Sequence, residues 1–111
     1  MNKQFTFRGM EHSNTIEEYA NKHLEKIERF LEHEKEPVSM HIIFTATPVH
    51  KHHEVEFQVT GPSYTLNAHR FGPEFYDLIS AVMDCMFRLL TEAKRRRVDE
   101  RKTSGYKRVI E

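Results

Sequence analysis

Only one cysteine occurs in the chain, Cys85, so no internal disulfide can staple the fold, and a reducing compartment such as the cytoplasm is the simpler setting. No apolar run approaches the roughly 20 residues that a membrane-spanning helix needs. The opening MNKQFTFRGM also has no apolar signal core. Both absences argue for a soluble protein with no membrane partner. Equally missing are a glycine-rich phosphate loop, an HExxH pair and a GxSxG elbow. Net charge is absent too, since 17 basic side chains balance 17 acidic ones. What is present suits one soluble domain: 38% hydrophobic and 31% charged residues over 111 positions can fill one two-layer core but not two.

The zero net charge hides an uneven distribution. Residues 1 to 84 hold eight basic and thirteen acidic side chains, whereas residues 85 to 111 hold nine and four. The densest stretch is TEAKRRRVDERK (91 to 102), with Lys94, Arg95, Arg96, Arg97, Arg101 and Lys102. A helix C-terminus attracts cations through its dipole, but only within its last turn. Basic side chains spread over the whole last quarter exceed that and point to an anion-binding patch.

Hydrophobic periodicity sets out the elements. QFTFRG alternates Phe5 and Phe7 with polar neighbours and stops at Gly9, which predicts a short strand. Ser13 or Asn14 caps a helix to about residue 33, with Ile16, Ala20, Leu24, Ile27 and Leu31 on its apolar stripe and Tyr19 and Phe30 beside it. After Pro37 the period becomes two: Val38, Met40, Ile42, Phe44 and Ala46, then Val55, Phe57 and Val59, then Tyr64, Leu66 and Ala68. Turns at PVHKHH and GPS make these an antiparallel meander. Pro73 and Glu74 open a second helix through Phe75, Leu78, Ile79, Val82, Met83, Met86, Phe87 and Leu90. The expected fold is α+β, ordered β-α-β-β-β-α, a four-stranded sheet with two helices on one face. Residues 1–99 form the domain and residues 100–111 a flexible polar C-terminal tail.

The chemical constellations are sparse. His50, His52 and His53 cluster without a cysteine and read as a solvated turn rather than a metal site. His41 and His69 fall on the polar sheet face and read as exposed. Cys85 sits in the apolar register of the second helix among Val82, Met83 and Met86, a core or boundary position. Asp77 and Asp84 lie two turns apart on that helix's exposed side. No nucleophile and base stand in a recognisable pattern, so catalysis, metal, cofactor and small-molecule substrate are not expected.

EYANKHLEKIERF (18 to 30), the meander, and PEFYDLISAVMDCMFRLLTEAKRRR (73 to 97) together resemble the ribosome hibernation promoting factor and ribosome-associated inhibitor family, also called ribosomal subunit interface proteins. The similarity spans about residues 4 to 98. Lys22 and Lys26-Ile27-Glu28-Arg29 stand where the family's first helix has its Lys and its Lys-Leu-Glu-Lys/Arg. Glu74-Phe75-Tyr76, Asp84, Arg88 and the run Lys94 to Arg97 match the family's second helix. One departure is Cys85, where the family has Lys after the Asp; another is the five Glu of the first helix.

The resemblance implies a fold similar to double-stranded RNA-binding domains, and the short form of the family, without a second, dimerising domain. It also implies a function: binding the small ribosomal subunit and its rRNA in the channel of messenger and transfer RNA, silencing idle ribosomes as in stationary phase or stress. The residues themselves agree. Lys22, Lys26 and Arg29 lie at i, i+4 and i+7 on one stripe of the first helix. Arg88, Lys94, Arg95, Arg96 and Arg97 extend basic character along the second, and side-by-side helices would merge the two into one phosphate-binding surface. The free protein is expected to be a monomer. The rival expectations are an adaptor that docks a protein on the exposed sheet face or tail, and a small enzyme using His and Asp on that face.

Overall fold

The computed structural model describes residues 2–34, 37–47, 49, 52–62 and 64–110, with side-chain surroundings through residue 96. Its elements are β1 (Asn2–Arg8), α1 (Asn14–Leu31), β2 (Ser39–Thr45), β3 (His53–Gly61), β4 (Tyr64–Gly72) and α2 (Phe75–Ile110). The order is the expected β-α-β-β-β-α.

The strands lie in chain order, β1-β2-β3-β4. β2, β3 and β4 are antiparallel neighbours, with Ile42 opposite Phe57 and Phe57 opposite Ala68. β1 instead runs parallel to β2, Phe5 beside Ile42. Parallel neighbours need a long crossover, and α1 supplies it. Where β1 ends, Gly9 adopts φ +70, and a Cβ there would sit 2.6 Å from the Ala46 carbonyl oxygen. Only glycine accepts that turn without strain.

Period-two alternation puts Met40, Ile42, Phe44, Val55, Phe57, Val59 and Ala68 on one sheet face, all buried. Both helices lay their apolar stripes on that face: Ile16, Ala20, Leu24, Ile27 and Leu31 from α1, and Leu78, Ile79, Val82, Met83, Met86 and Leu90 from α2. Each buried Val, Leu, Ile, Met or Phe among them contributes about 1.5–3 kcal/mol by leaving water, so this single layer carries the fold. At the start of α1 the Ser13 hydroxyl accepts from the Ile16 amide at 3.3 Å, the capping expected of serine.

α2 departs from the sequence pattern. Its backbone runs on to Ile110 rather than ending near Asp99. No proline follows Pro73, and a helix nucleated by packing through Leu90 extends at the cost of one ordered residue per hydrogen bond. The side chains of residues 97–111, including the expected tail, lie outside the described residues. α1 spans 18 residues and α2 spans 36, about 27 Å and 54 Å at 1.5 Å per residue. α2 therefore overhangs its neighbour, and the KRRR run stands where the overhang begins.

Candidate nucleic-acid interface

The two helices touch along a seam made of aromatic rings and lysines. At one end the Tyr19 hydroxyl lies 3.2 Å from Ser80 Oγ, and the Tyr19 ring meets Tyr76 edge-on with centroids 4.8 Å apart. Further along, Phe30 meets Phe87 edge to face at 5.7 Å. Lys26 of α1 holds its Nζ 4.0 Å from the centre of the Phe87 ring on α2, and Lys94 of α2 holds its own 5.3 Å from Phe30 on α1. Residue numbers rise together on both sides, so the helices run parallel and their C-terminal halves share one end of the molecule.

That arrangement brings most of the expected residues to one outer surface. Lys22, Lys26 and Arg29 are all exposed on α1. The Arg29 guanidinium sits 3.8 Å from Glu25, but with side chains 76% and 66% exposed the pair is weak and leaves the charge available to a ligand. Arg88 and Arg95 are exposed one heptad apart on α2, and Lys94 reaches back over the seam. Successive helical residues are turned by about 100°, so the KRRR run wraps around α2 instead of lining one face. Arg96 is exposed but leaves from the flank of α2 away from Lys94. The side chain of Arg97 is not among those described.

The surface is not uniformly positive. Glu18, Glu25, Asp77, Asp84 and Glu92 are exposed among the basic side chains of the two helices, and only α2 becomes more basic toward its C-terminal end, through Arg88, Lys94, Arg95 and Arg96. Cys85 is half-buried against the core. At 100° per residue it lies roughly 160° from Phe87 around the helix, on the side turned away from α1. The position that carries lysine in the family pattern therefore lies off the seam.

Sequence periodicity alone missed the cross-seam contacts. Phe30 reads only as a neighbour of the first helix's apolar stripe, Phe87 only as one of the second helix's apolar positions, and the nearby lysines only as charges. The sheet's other face also differs from expectation in detail. His41 is not simply exposed: it is partly buried, its Nε2 2.7 Å from Thr6 Oγ1. His69 is exposed, as expected, and stands 3.5 Å from Glu54. At the centre of that face Glu56 accepts from Asn67 Nδ2 at 2.7 Å and from Gln58 Nε2 at 3.0 Å, and these two donors hold its carboxyl below the usual glutamate pKa.

The histidine turn divides. His52 stacks on the exposed Phe71 ring, whereas His53 stacks on Phe75 and accepts at Nδ1 from the Thr47 amide. His50 lies outside the described residues. Among the described residues, no three His, Cys, Asp or Glu side chains gather as metal ligands. No helix among them is long and apolar enough to cross a membrane.

With the sheet, the paired helices and the seam in view, comparison with known proteins is decisive. Residues 4–98 match the sequence profile of the family described as Sigma 54 modulation protein / S30EA ribosomal protein. The chain belongs to that family. Two solved structures share its fold. A ribosomal subunit interface protein from Coxiella burnetii is 23% identical, with a TM-score of 0.69 over 86% of this chain and 99% of that one. The N-terminal domain of Protein Y from Thermus thermophilus is also 23% identical, with a TM-score of 0.66 over 86% and 98%. No curated protein matches the sequence significantly. Within the S30EA family frame, the helix seam and the stripes beside it are the candidate site.

Proposed function

We propose that this protein is a ribosome hibernation factor: a cytoplasmic monomer that seats its basic helix surface on the small ribosomal subunit and occupies the channel used by messenger and transfer RNA. One observation carries the reading. In a chain of the S30EA family, two parallel helices put Lys22, Lys26, Arg29, Arg88, Lys94 and Arg95 on one rigid outer surface. Phosphate contacts dominate affinity for RNA, and a preorganised basic face is sufficient to make them. Each contact is modest; a rigid surface sums them without first having to order loops. No cofactor or small-molecule substrate enters this mechanism. Translation stops because one body and an RNA ligand cannot share a space.

Two measurements test it. The protein should co-sediment with ribosomes from stationary cells, and increasing salt should release it steeply. In translation by purified ribosomes, higher messenger and initiator transfer RNA should relieve the inhibition when all components are pre-equilibrated. Inhibition that excess RNA leaves untouched counts against channel occupation. Binding that is indifferent to salt favours instead an adaptor docking a protein on the open sheet face, where Phe71 is 51% exposed.

A further inference from the structure

Lys26 and Lys94 are not free-standing charges. Each reaches across the seam to a ring on the other helix, Lys26 to Phe87 at 4.0 Å and Lys94 to Phe30 at 5.3 Å, and the two rings brace one another edge to face. A cation within about 6 Å of a ring centre is attracted by the ring's quadrupole. Phe30 and Phe87 are only half-buried and flank the core cluster without belonging to its fully buried set. Their rings therefore leave a face for the ammonium groups.

A lysine that must be immobilised to meet a phosphate loses rotamer freedom on binding. One already resting on a ring has lost part of it on folding. The ammonium carries three N–H donors, and a ring on one side leaves donors free on the other. Charge is thus fixed in place by a ring without being neutralised, whereas the nearest partner of Arg29 is the Glu25 carboxylate in a weak, exposed pair that does not fix it.

We infer that Phe87 and Phe30 are positioning residues which hold Lys26 and Lys94 across the helix seam as a preformed pair for RNA phosphates. The inference rests on the ribosome-binding reading, and it assigns no RNA contact to the rings themselves. The phenylalanines act through the lysines.

The test is a cycle of four proteins: wild type, Phe87→Leu, Lys26→Gln and the double variant, each bound to purified small ribosomal subunits. Leucine keeps the apolar contact and removes the π face. Phe87→Leu should weaken binding about two- to fivefold in the wild-type background. It should add nothing where Lys26 is already Gln. Phe87→Tyr, which keeps the ring, should restore binding. In the free protein, NMR should find the Lys26 ε-methylene protons shifted upfield by the ring, with the shift lost in Phe87→Leu and kept in Phe87→Tyr.

Unchanged affinity in Phe87→Leu overturns the inference. So does an equal loss in both backgrounds, which would make Phe87 a packing residue only. If wild-type protein ignores small subunits altogether, the ribosome reading fails by itself. The same cycle on an RNA duplex of about 16 base pairs then decides the positioning role: coupling between Phe87 and Lys26 sustains it, and additivity overturns it.

Discussion

Glu56 and Cys85 illustrate how far single side chains depend on what surrounds them. Glu56 stands on the open sheet face with Asn67 and Gln58 both donating to one carboxylate oxygen. Its folded pKa lies below the ordinary glutamate value, so the stability it contributes is complete above that value and lost as pH falls through the folded pKa. Asn67→Ala should cost about 0.5–1 kcal/mol at neutral pH, the lower part of the range for hydrogen bonds to a partly exposed charge. The difference from wild type should vanish in acid below the glutamate range. Urea unfolding at both pH values reads it, and a cost independent of pH would remove the assignment. Cys85 poses the opposite case. It packs half-buried on the flank of α2 away from α1, so Cys85→Lys should lower stability by about 1 kcal/mol and leave ribosome affinity within about twofold of wild type. A clear gain in affinity at unchanged melting temperature would mean that the position reaches RNA after all.

At the scale of elements, the sequence is most legible where burial dictates periodicity. The change from mixed three- and four-residue spacing up to Leu31 to period two after Pro37 separates α1 from the meander, because each element turns one apolar face to the same core. Three features escape that logic. The parallel pairing of β1 with β2 is a choice of edge that alternation in Phe5 and Phe7 does not encode. The end of α2 lies beyond Leu90, the last buried side chain among the described residues. The contacts of Lys26 with Phe87 and of Lys94 with Phe30 join residues on different helices, and their meeting is fixed by the way two helices cover one sheet. The basic stripes, and their merging once the helices lie side by side, are thus readable from the sequence; the ring beneath each seam lysine is not. α2 yields its own expectation. Among the described residues Leu90 is the last in the buried core, so a chain ending at residue 99 should fold and melt within about 2 °C of the full chain. A large drop in calorimetric melting temperature would show that residues 100–111 pack on the domain.

For the whole molecule, one face made of helices and one made of strands divide the labour. Positive charge gathers in the last quarter of the chain although the whole is neutral, nine basic to four acidic residues over 85–111, which is why formal net charge says little about its partners. Reversing Lys26 and Arg88 together to Glu should leave the fold intact, since both are exposed. It should weaken binding to small subunits about tenfold or more and reduce the salt slope by about one unit per lost phosphate contact. A folded double variant with wild-type affinity and slope would sink the assignment of the helix face.

The seam has a consequence for when this protein can act. Tyr19 and Ser80, which meet across it, are 61 residues apart in the chain, and the two lysines are joined to their rings over similar separations. Contacts of such long range form only after the loop-closure entropy of the intervening chain has been overcome. An unfolded or half-folded chain has the same number of charges, yet it scatters them. Any opening that lifts α1 from α2 also divides the surface, so a damaged copy loses its hold on the target as it loses its structure. On the proposed function, competence to silence a ribosome is in this way tied to completed folding, a form of quality control that needs no separate checkpoint.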